Sequence, residues 1–70
     1  MRDINRLDDF YNAFKELHKN VYDWRFGQFI INFMRWYEVK YKRDIFYIED
    51  DEIIKLIREF INEIGVKYVR

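Results

Sequence analysis

The chain has 70 residues and zero formal net charge; half of it is hydrophobic, 21% is aromatic, and it contains no cysteine and no proline. That length allows one domain, residues 1–70, around one core, and the aromatic content excludes intrinsic disorder as the default. Without cysteine there is no disulfide framework and no thiolate metal site.

The first segment places Ile4, Leu7, Tyr11, Phe14, His18 and Val21 at alternating spacings of three and four, with Phe10 and Leu17 widening the same face. This pattern predicts an amphipathic helix over about Asn5 to Lys19. Asp3 or Asn5 can cap its start, and Asp8 and Asp9 early with Lys15 and Lys19 late follow the order that the helix dipole favours. Asn20 to Asp23 is read as the connection to a second helix.

Asp23 is the expected cap of that second helix, which runs to Tyr41 or Lys42. Projected at 100° per residue, Phe26, Phe29, Ile30, Phe33, Met34, Trp36, Tyr37 and Tyr41 fill an arc of roughly 160°, with Trp24, Ile31 and Val39 behind. Two antiparallel neighbours cover the centre of such an arc but not its edges. Phe26, Phe29, Ile30 and Phe33 are therefore expected in the core. Met34, Trp36, Tyr37 and Tyr41 are expected at an interface, with Trp24 and Ile31 as secondary contributors.

Asp44-Ile45-Phe46-Tyr47-Ile48 is β-branched and aromatic and too short for a helix, so it reads as an extended arm. It leads into the acidic run Glu49-Asp50-Asp51-Glu52 and a third helix over about Asp51 to Ile64, with Ile53, Ile54, Ile57, Phe60, Ile61 and Ile64 on one face. Gly65 is expected to end this helix as a C′ glycine, with Val66 contacting Ile61. The alternating tail from Val66 to Arg70 can pair as a short strand with the 45–48 arm. The expected fold is all-α: three helices, with an extended arm between the second and third.

Charge is unevenly spread. Residues 20–43 carry five basic against two acidic side chains, and residues 44–64 carry seven acidic against two basic. Opposite signs on adjacent segments are expected to attract each other across the fold rather than to recruit a polyanion. Lys40, Lys42 and Arg43 beside Tyr37 and Tyr41 imitate a nucleic-acid surface, but basic groups are expected at a helix C-terminus in any case. Glu49 to Glu52 lack the spacing of a calcium loop and suit a helix start without any cation.

Serine and threonine are absent along with cysteine, so the common nucleophiles are missing, and His18 has no second histidine to share acid and base duties. The chain is read as non-enzymatic and without a cofactor, and His18 as a half-buried residue satisfied by one hydrogen bond. Its longest uncharged stretch, Phe26 to Met34, falls far short of the roughly 20 residues a spanning helix needs. Its first residues, Met1-Arg2-Asp3-Ile4-Asn5-Arg6, do not resemble a secretory signal, which places the chain in the cytoplasm.

Arg25-x-Gly27-Gln28, followed by Asp44-x-Phe46-Tyr47-x-Glu49-Asp50, resembles a pattern in small uncharacterised proteins of Gram-positive bacteria and their phages. The resemblance covers roughly Asp23 to Ile57 and implies no activity; helix 2 here is more aromatic, and the link after it more basic, than in such proteins. In physical terms, a glycine early in a helix costs about 1 kcal/mol against alanine, so something is expected to pack closely on Gly27, and the arm carrying Phe46 is the candidate. Arg25 is then expected to pair with Asp44 or Asp50, and Gln28 to bond the arm's backbone.

Taken together, these features predict a protein–protein interaction module. The economical form is a homodimer through helix 2; the first alternative is a phage or mobile-element protein that docks on a host protein and inhibits it, for example a defence nuclease, and the second is a nucleic-acid-binding module.

Overall fold

The computed structural model describes the backbone of residues 3–68 and the side chains of residues 3–64. Among the described residues the regular elements are three α-helices, α1 (Arg6–His18), α2 (Phe26–Tyr41) and α3 (Asp50–Tyr68), with 3-10 turns at Lys19–Val21 and Ile45–Tyr47. The fold is all-α with three helices, as the periodicities predict.

Local chemistry sets the helix ends. Asn5 has a helical backbone and makes no side-chain cap bond; instead Asp3 Oδ1 accepts the Asn5 N–H at 3.0 Å. At the other end of α1, Asn20 Nδ2 donates to the Leu17 carbonyl at 3.0 Å, satisfying an acceptor that the helix leaves open.

The cap of α2 is Arg25, whose extended backbone turns the chain into the helix, and not Asp23. Gln28 Oε1 accepts the Arg25 N–H at 2.7 Å, the reciprocal half of a capping box. Gln28 is thus committed to its own helix start and does not bond the 45–48 segment. α2 closes on Lys42, which sits in the left-handed region at φ 59° and donates its N–H to the Glu38 carbonyl.

The expected arm is a 3-10 turn flanked by extended Asp44 and Ile48. Asp44 Oδ1 accepts the Phe46 N–H at 2.9 Å, and this local bond folds the segment back on itself. Ile45 and Ile48 lean on the core, whereas Phe46 and Tyr47 are 76% and 84% exposed. Phe46 therefore does not cover Gly27, where an added Cβ would meet nothing within 4 Å.

α3 runs through Gly65 to Tyr68. Glycine ends a helix when it takes the left-handed conformation; without that, and with no proline following, it costs propensity but does not stop the helix. The helical backbone at 66–68 and the 3-10 turn at 45–47 also replace the strand pairing expected there; residues 69–70 lie outside the described residues.

The core is built from Leu17, Val21, Phe29, Phe33, Tyr37, Leu56, Ile57, Phe60 and Ile61. Phe60 on α3 is its aromatic centre, with ring centroids 5.4 Å from Trp36, 5.7 Å from Phe33 and 6.1 Å from both Phe29 and Trp24. Such tilted and edge-on pairs contribute about 0.5–1.5 kcal/mol each beyond area burial. α1 and α2 both pack on α3, so α3 is the floor and the outer faces of α1 and α2 form two walls.

Candidate interaction surface

The C-terminal and N-terminal halves of α2 have different surroundings. On the α3 side, Trp36 Nε1 donates to Glu63 Oε1 at 2.8 Å, Tyr41 Oη donates to Glu59 at 2.7 Å, and Lys40 Nζ reaches both Glu59 and Glu63. Lys40 also lies 5.2 Å from the centre of the Trp36 ring, within cation–π range. The attraction between the basic and acidic segments is realised here, within the chain.

This network perturbs its members in a consistent direction. Hydrogen bonds to Glu59 and then Glu63 hold the Lys40 ammonium well above its ordinary range. Lys40 foremost, followed by Tyr41 for Glu59 and Trp36 for Glu63, holds both carboxyls below theirs. The bond to Glu59 raises the Tyr41 phenol. The groups are solvent-accessible, so the network orients α2 against α3 more than it stabilises the fold.

Tyr37, expected at an interface, is core at 3% exposure, and Phe26, expected in the core, is 64% exposed. The reason is axial position. Phe26 is the first residue of α2, at the open end of the helix, whereas Tyr37 lies about three turns further along, its ring beside those of Phe33 and Tyr41. Met34, Trp24 and Trp36 are half-buried, and Ile31 and Tyr41 stay exposed.

The N-terminal half of α2 opens onto a groove of about 210 Å³ between α1 and α2. Phe10, Tyr11 and Phe14 form one wall, Phe26, Ile30 and Phe33 the other, and Ile45, Ile53 and Ile57 close the end and floor. Its lips are wet, with Tyr11 61% and Phe26 64% exposed, and its walls touch where the Phe26 ring meets that of Phe14 edge-on at 6.0 Å. The contribution of α1 is the part that sequence reasoning missed. Its signal is the widening of the α1 face by Phe10 and Leu17, which draws the buried centre toward Leu17 and leaves Tyr11 at the margin.

The remaining motif residues are structural. Asp50 lies 3.4 Å from Arg6, and Arg25 forms no ion pair among the described residues. Asp23 is exposed, Asp44 caps the 3-10 turn, and Gly65 lies inside α3. His18 Nε2 meets the Trp24 carbonyl at 2.9 Å, and its ring packs 4.9 Å from that of Phe29. A carbonyl only accepts, so this nitrogen carries the proton.

Among the described residues no group of three His, Asp or Glu side chains is placed to hold a metal ion, and no helix is long and apolar enough to cross a membrane. No family model matches the chain, and no curated protein or solved structure matches it either.

Proposed function

We propose that the chain is a protein–protein interaction module that self-associates through the α1–α2 groove. The carrying observation is the pairing of an apolar groove with lips that remain exposed, Tyr11 at 61% and Phe26 at 64%. Aromatic residues are enriched at interface centres, and contiguous apolar surface on a small domain marks docking sites. This reading moves the contact from the C-terminal half of α2, where Trp36 and Tyr41 already have partners, to its N-terminal half.

A stable interface of about 800 Å² per partner would take roughly one seventh of the 5713 Å² that this chain exposes. Formal neutrality means that two copies meet without net repulsion.

Light scattering across a dilution series tests the proposal. Wild type is expected to pass from monomer to dimer with concentration, and Tyr11→Asp or Phe26→Asp to remain monomeric with an unchanged far-UV spectrum. A wild-type monomer at every concentration refutes self-association, leaving the groove for a helix of a different protein.

A further inference from the structure

We infer that the second copy is held in one register: its α1 lies antiparallel beside α1 of the first, with Tyr11 near the two-fold axis and Asp8 of each copy opposite Lys15 of the other. This rests on the self-association proposed above and specifies its geometry.

Three observations carry it. At 100° per residue Asp8, Tyr11 and Lys15 lie within about 60° of one another on α1, on the side away from buried Leu17, so they form one outward seam beside the groove. Asp8 and Lys15 are exposed, and their side chains make no ion pair or hydrogen bond among the described residues, unlike Lys19, which pairs with Glu16, or Arg6, which pairs with Asp50. The seam therefore ends in two unspent charges of opposite sign.

The third observation is their symmetry. Asp8 and Lys15 stand at nearly equal distances on either side of Tyr11, and a two-fold axis there brings each acid against the other copy's base, giving two ion pairs from one arrangement. A parallel arrangement would set like charge against like and is disfavoured by the same chemistry. The groove completes the fit. An apolar cavity of roughly 150 Å³ accepts a benzene ring, and the groove of about 210 Å³ accepts the Tyr11 ring of the second copy against Phe14 and Phe26.

Charge reversal tests the register. Asp8→Lys alone sets two bases together at each of the paired positions, and Lys15→Asp alone sets two acids together there. Each variant is expected to dimerise about tenfold more weakly than wild type at low salt, with less effect at high salt. An equimolar mixture of the two variants is expected to recover association as a heterodimer to within a few-fold of wild type, as is a single chain carrying both substitutions. Circular dichroism on each variant establishes that the helices persist.

If wild type dimerises but the two single variants associate equally well, or if the mixture does not recover, the register is overturned while self-association stands. If wild type never dimerises, the underlying reading fails, and the register fails with it.

Discussion

Replacing Gly27 by alanine is expected to stabilise this fold, although a glycine in that place reads from sequence as a sign of close packing. Gly27 is the second residue of α2, its φ is not in the positive region, and a Cβ built on it meets nothing within 4 Å. Alanine therefore brings no strain and no buried contact. What remains is propensity and unfolded-chain entropy, worth about 0.8–1.0 kcal/mol in a helix interior and about 0.4–1 kcal/mol at a compatible site. A first-turn position takes the lower part of that range, so about 0.5 kcal/mol is expected. A domain of this length has a total stability on the order of 3.5–10 kcal/mol, and the gain corresponds to a rise in melting temperature of roughly 2–4 °C. Urea unfolding followed by circular dichroism, at a concentration where the chain is monomeric, should show a higher midpoint with an unchanged slope. A midpoint equal to or below that of wild type would mean that a neighbour does approach residue 27, and the reasoning would fall.

The converse substitution lies at the far end of the same helix, where Lys42 occupies the left-handed region that glycine tolerates without a Cβ penalty. Lys42→Gly is expected to stabilise by about 1 kcal/mol in thermal melts, and a loss of stability would contradict the cap geometry. The Lys40–Glu59–Glu63 network predicts a pH dependence. Glu59 and Glu63 have folded pKa values below their unfolded ones, so their contribution is complete above the ordinary carboxylate value of about 4.3 and is lost as pH falls through the folded values. Lys40 is raised, so its contribution is complete below about 10.4 and is lost only at more alkaline pH. The melting temperature should therefore fall on acidification, and the Glu59→Gln, Glu63→Gln double variant should show a shallower acid limb. An identical limb would show that the network contributes nothing.

Periodicity alone was enough to locate all three helices, because an amphipathic stripe repeats within a single segment and needs no knowledge of its neighbours. Phe33 and Ile57 lie near the centres of their stripes, and the packing of those stripes buries them. The exchange of Tyr37 and Phe26 between core and surface was decided by tertiary structure, since both lie in the middle of one arc and the projection does not say which of them the rest of the fold covers. The 3-10 turn at Ile45–Tyr47 turns on one Asp44 hydrogen bond that competes with an extended chain, and composition does not weigh that balance. The continuation of α3 through Gly65 turns on a backbone conformation that the glycine permits but does not impose. The groove, finally, belongs to no single segment: its lining comes from α1, α2, the 3-10 turn and α3, and how helices pack against one another is a property of the packed whole.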